Sequence, residues 1–144
     1  MIYFDTAFIA KCYLNEVGAE RVRAAAQQAK GLVSCELARV EFASLLRRHV
    51  REGFLSPQGL RLVRRNFEQD EQDRVLNWLP INSALVEATT LTLEKLPPAL
   101  YLRSGDALHL ECARHHGYAQ IYSNDRHLLA AAPHFALEGI NLAA

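Results

Sequence analysis

The chain has 144 residues, half of them hydrophobic and 22% charged, with Gly and Pro sparse, which excludes a disordered tract, a collagen-like repeat and a disulfide-stapled miniprotein. A chain of roughly 150 residues buries about 68 to 70% of its unfolded surface, so one domain over 1–144 with a true core is expected. Sixteen Lys and Arg balance sixteen Asp and Glu, so no global field draws the protein to nucleic acid or an anionic membrane, and any such affinity has to come from local patches.

Cys12, Cys35 and Cys112 are odd in number and widely spaced, with no C-x-x-C, which argues against a disulfide framework and a zinc site and for a reducing compartment. "MIYFDT" has no basic region followed by an apolar run, and no apolar stretch approaches 18 residues. The expectation is a cytoplasmic protein with no membrane segment.

In chain order, β-rich runs occur at 2–5 (IYFD), 32–35 (LVSC), 74–81 (RVLNWLPI), 120–123 (QIYS) and 138–142 (EGINL). The segments between them are long enough for crossover helices, a pattern that predicts an α/β fold with a five-stranded parallel sheet covered on both faces. Between the second and third runs lies an insertion that reads as two helices, with Gly53 ending the first and Ser56 followed by Pro57 starting the second. This helical hairpin is expected to protrude from one edge of the sheet. A further helix over about 83–95 is closed by Pro97 and Pro98, and the chain re-enters a helix with Ser104 as its expected N-cap.

Four acids stand out against this layout. Asp5 ends the first strand, at the edge where open α/β sheets bind ligands. Glu41 lies in the first hairpin helix within an arc of about 140° that also holds Leu37, Val40, Ser44 and Leu45. Asp106 shares a helical face with Leu110, Ala113 and Gly117, the face expected to meet the core, and Asp125 follows the fourth strand. Each has an ordinary structural reading as a helix cap, a dipole partner or an arginine partner. Together they form a different pattern, because a parallel sheet brings two strand-end acids and two inward helical acids toward one edge.

Several carboxylates crowded there repel one another and resist desolvation, and a divalent cation is the natural compensation. All-oxygen ligands suit Mg²⁺ or Mn²⁺, and the chemistry such a site suggests is metal-assisted phosphodiester hydrolysis.

The ordered set "YFDT", "ARVEFA", "RSGDALHLECA" and "YSNDRHLL" resembles the PIN-domain ribonucleases, most closely the VapC-type toxins of bacterial toxin–antitoxin modules. The resemblance covers almost the whole chain. It implies a three-layer α/β/α domain, an endoribonuclease dependent on Mg²⁺ or Mn²⁺, an RNA substrate, a cognate antitoxin partner and a homodimer. It matches the acidic quartet to Asp5, Glu41, Asp106 and Asp125, with Thr6 and Ser123 as hydroxyls supporting the acids. Ala7 stands where a further hydroxyl is common.

Arg103, with Arg47, Arg48, Arg61 and Arg65 of the hairpin, forms the expected RNA-binding set; a solvated face neutralised by "EQDEQD" is the alternative. His109 and His127 lie nearer the acids than His115 and His116, but surface or packing roles outrank acid–base work for them. Leu37, Phe42, Leu45, Leu46, Phe54 and Phe67 offer an apolar hairpin face for a dimer. An aspartyl phosphatase is disfavoured because Ala7 stands where its second acid belongs, and a receiver domain because Asp5 has no acidic neighbour. The rival of a different class is a metal-free PIN-like module for protein interaction or RNA binding.

Overall fold

In the computed structural model, which describes residues 1–142, strands β1 (Ile2–Tyr3), β2 (Leu32–Cys35) and β3 (Leu76–Leu79) form one parallel ladder. Ile2 lies opposite Leu32, and Leu32 opposite Leu76. Strands β4 (Gln120–Tyr122) and β5 (Glu138–Ile140) form a second, with Ile121 opposite Gly139. The expected five-stranded sheet is therefore corrected to pieces of three and two strands that meet at a single parallel bridge, Phe4 to Tyr122. The reason is local. Asp5 is still extended and donates its amide to the Tyr122 carbonyl, but it caps the helix directly behind it, so the β1–β4 seam is cut short after Phe4. Every pairing remains parallel, as expected.

The helices are α1 (Thr6–Tyr13), α2 (Ala19–Gln28), α3 (Leu37–Arg51), α4 (Pro57–Gln72), α5 (Ser83–Lys95), α6 (Ser104–His115) and α7 (Arg126–Ala131), the last running into a 3₁₀ turn at Ala132–Phe135. They cover both faces, because side chains alternate along each strand. Val33 and Cys35 enter one core with Tyr3, Leu85, Leu110, Ile121 and Phe135. Leu32 enters the other with Phe4, Phe8, Phe42, Leu46, Phe67 and Leu76. The three-layer α/β/α arrangement follows from that alternation, each buried aromatic or branched side chain contributing about 1.5 to 3 kcal/mol.

The hairpin is α3 and α4. Gly53 takes φ +79°, a left-handed conformation that costs glycine nothing, and the Ser56 hydroxyl accepts the Gly59 amide at 3.0 Å, with Pro57 in the first turn. Its inward stripe is Ala38, Phe42 and Leu46, with Val63 and Phe67 across from it. Phe67 packs on Phe42 at 4.8 Å, Tyr13 at 5.5 Å and Trp78 at 5.8 Å between ring centroids. Three residues of the apolar face expected to bind a second copy, Phe42, Leu46 and Phe67, are thus buried in the protein's own core, while Phe54 at the turn is exposed. Val40, placed by the sequence beside the core, is 68% exposed.

Helix α6 begins one residue earlier than expected: Arg103 is the N-cap, extended at φ −78° and ψ 155°, and its carbonyl accepts the Ala107 amide at 3.0 Å. Ser104 is therefore inside the first turn. No helix among the described residues is long and apolar enough to cross a membrane.

Candidate active site

All four acids line one open cavity of about 860 Å³, together with Thr6, Ser44, Arg47, Arg48, Arg51, Arg103 and His109. Each arrives by a different local rule. Asp5 sits at the junction of β1 and α1, where its carboxylate accepts the Phe8 amide at 2.9 Å as the helix cap. Glu41 lies beside the buried stripe of α3, on a face shared with Ser44, Leu45, Arg48 and Arg51 at helical spacing. Asp106 occupies the first turn of α6, one turn before buried Leu110. Asp125 caps α7, accepting the amides of His127 at 2.8 Å and Leu128 at 2.9 Å. Capping does not keep Asp5 and Asp125 from lining the cavity, since a capping carboxylate has a second oxygen.

Asp5 is only 5% exposed, and burial pushes its carboxyl pKa up to about 6. Hydrogen bonds from Ser123 and the Phe8 amide and the field of His109 work against that rise, while the nearby charge of Asp106 adds to it. Ser123, fully buried, also accepts the Asp125 amide through its hydroxyl at 3.0 Å, so it ties two of the acids together. Thr6 donates to Glu41 Oε1 at 2.8 Å.

Arg103 spans the other pair. Its guanidinium lies 3.1 Å from Asp106 Oδ2 and 3.4 Å from Asp125 Oδ2, and at 63% exposed it is a solvent-screened clamp rather than a buried ion pair. The hairpin arginines divide. Arg47, Arg48 and Arg51 line the cavity, whereas Arg61 and Arg65 are exposed on α4 and do not.

His109 lies beside the acids, as expected, and is buried rather than on the surface. It is 2% exposed yet fully engaged: Nε2 meets Glu41 Oε1 at 2.7 Å and the Thr6 hydroxyl at 3.2 Å, and Nδ1 meets the Tyr3 hydroxyl at 3.0 Å. Burial disfavours its charge, but the bond to Glu41 and the fields of Glu41 and Asp5 outweigh burial and raise its pKa. Glu41 responds in the opposite sense: its pKa is lowered, with burial opposed by the His109 bond and field and the Thr6 bond. The available signal was spacing, since His109 is three residues beyond Asp106 and so returns to nearly the same face of α6.

The donor chemistry fits a hard divalent cation. The open groups on the cavity are carboxylate oxygens, the one imidazole among them is already bonded on both ring nitrogens, and buried Asp5 is short of positive charge. As the side chains lie, no three His, Cys, Asp or Glu groups among the described residues converge closely enough to grip an ion, and Arg103 engages Asp106 and Asp125 instead.

No curated protein sequence matches this chain. Among solved structures it is similar to FitAB bound to an IR36 DNA fragment, with a TM-score of 0.70 and 13% identity over 100% of this chain and 96% of that chain; at that identity the likeness is one of fold. The PIN domain profile matches residues 2–133, a span that takes in all four cavity acids, and the chain belongs to the PIN domain family.

Proposed function

We propose that the protein is a Mg²⁺- or Mn²⁺-dependent endoribonuclease, acting as the toxin of a bacterial toxin–antitoxin pair. One observation supports this most: acids from four separate segments, Asp5, Glu41, Asp106 and Asp125, line a single cavity whose wall on α3 carries Arg47, Arg48 and Arg51. Carboxylates beside arginines suit a phosphodiester, with the arginines holding flanking phosphates and the acids holding the cation. Bound among those acids, the cation would supply Lewis-acid chemistry, activating water and neutralising charge on the scissile phosphate.

The chain's own residues prepare the site. Ser123 orients Asp5 and Asp125, Thr6 orients Glu41, and Arg103 balances the charge of Asp106 and Asp125, the acids that would hold the cation. At 63% exposed and beside the acids, the Arg103 guanidinium is also placed where it would reach a substrate phosphate. The antitoxin partner and the homodimer rest on the VapC-type resemblance, and sedimentation at tens of micromolar, where a standard-size interface persists, tests the latter.

Purified protein should cleave structured RNA at mapped positions with Mg²⁺ or Mn²⁺, poorly with Zn²⁺ alone, and not in EDTA. Equal cleavage with and without chelator would sink the metal mechanism. Asp106→Asn should lose most of the Mg²⁺-induced rise in melting temperature. A wild type that binds RNA but neither binds metal nor cleaves would favour the interaction module instead.

A further inference from the structure

The buried histidine behind the acids carries chemistry that the quartet does not account for. We propose that His109 is a positioning residue for Glu41, forming with Tyr3 and Thr6 a network that commits one carboxylate oxygen and leaves the other facing the cation site; this rests on the reading that Glu41 holds the cation. Glu41 Oε1 accepts from His109 Nε2 at 2.7 Å and from Thr6 Oγ1 at 2.8 Å. Oε2, which takes neither of these bonds, lies on the side of Gly105, where a Cβ would stand 3.4 Å from it in ordinary contact.

Behind the ring, the Tyr3 hydroxyl meets Nδ1 at 3.0 Å and is itself anchored by the Cys35 backbone N–H at 3.1 Å. Tyr3 and Cys35 are fully buried, so the network starts from the rigid β1–β2 ladder and ends at the cavity. Hydrogen-bond accounting gives it a direction. A carboxylate only accepts, so Nε2 carries the hydrogen; the phenol can donate to Nδ1 or accept from it, so the donation to Glu41 persists whatever the charge on the ring. A glutamate on an exposed helix face otherwise samples many rotamers, and supports of this kind behind a metal ligand typically change metal affinity by about 10 to 100-fold.

A role in packing alone and a role in positioning predict different outcomes. His109→Leu keeps an apolar bulk in a buried position and removes the donor, whereas His109→Gln retains an amide donor. Calorimetric titration with Mn²⁺ should give a dissociation constant raised about 10 to 100-fold in His109→Leu and largely restored in His109→Gln. Nitrogen NMR of the wild-type ring should show Nε2 protonated, which needs no variant to fold. Unchanged Mn²⁺ affinity in His109→Leu, or a ring protonated on Nδ1 alone, overturns the proposal. If the wild type binds no Mn²⁺ while Nε2 is protonated, the network stands as a support for Glu41 and the metal reading is what fails.

Discussion

Asp5 is where burial and charge conflict most directly. Its carboxyl pKa stands at about 6 against an ordinary 3.8, so between those values the folded protein binds a proton that the unfolded chain has released. The sign follows: this group's contribution is most favourable below about pH 4, and stability falls as pH rises through about 6. Above that the ionised carboxylate costs at most about 3 kcal/mol in metal-free protein. Asp5→Asn keeps an oxygen to cap α1 and removes the charge. The expected result is a variant about 1 to 3 kcal/mol more stable than wild type at pH 7 in EDTA, with the difference vanishing near pH 4. Urea melts across that range check it; a variant less stable at pH 7 would mean that the ionised form is held by partners other than those described.

At the scale of elements, α3 serves two purposes with two faces. Ala38, Phe42 and Leu46 attach it to the core, while Glu41, Ser44, Arg47, Arg48 and Arg51 line the cavity. Helix α4 supplies no cavity lining, so its arginines have no geometric claim on a substrate seated among the acids. Replacing Arg47, Arg48 and Arg51 by Ala should therefore weaken RNA binding across sequences and flatten the dependence of log K on log salt, by about 0.7 per lost phosphate contact on single-stranded RNA. Replacing Arg61 and Arg65 should leave the slope unchanged. Filter-binding titrations over a range of salt separate the two sets, and equal slopes for all variants would return the α3 arginines to a solvated face.

Across the whole molecule, the cavity exists because separate pieces are held in register. Among the described residues the two ladders are joined at the bridge between Phe4 and Tyr122, supported by the Asp5 amide donating to the Tyr122 carbonyl at 3.1 Å, and that seam carries Asp5, Ser123 and Asp125 to one edge. On the other side, the aromatic stack of Tyr13, Phe42, Phe67 and Trp78 fixes the hairpin against α1 and β3. Phe67→Ala empties the centre of that stack. It should cost about 3 to 5 kcal/mol in a urea melt, and amide exchange should accelerate through α4 more than through α6. A loss below about 1 kcal/mol would show that the hairpin is held by other contacts.

Much of this was legible in the sequence because it depends on local rules. The cap at Ser56, the stop at Gly53 and the alternation of strands with crossover helices are written in residues that are neighbours along the chain. The order of acid-bearing motifs carried the family. Other features were decided only by tertiary packing. Whether Val40 or Phe42 faced the core depended on where α1 and α4 lay, because the two stand about 160° apart around α3 and only one of them can point inward. The split of the sheet depended on a helix starting directly behind Asp5, which cuts the seam between β1 and β4 short. The ordinary and special readings of Asp5 could not be separated in one dimension, since the same carboxylate caps a helix and lines the cavity. His109 looked like a packing residue because its partners, Tyr3 and Glu41, are 106 and 68 positions away along the chain; only folding brings a phenol and a carboxylate to the two sides of its ring.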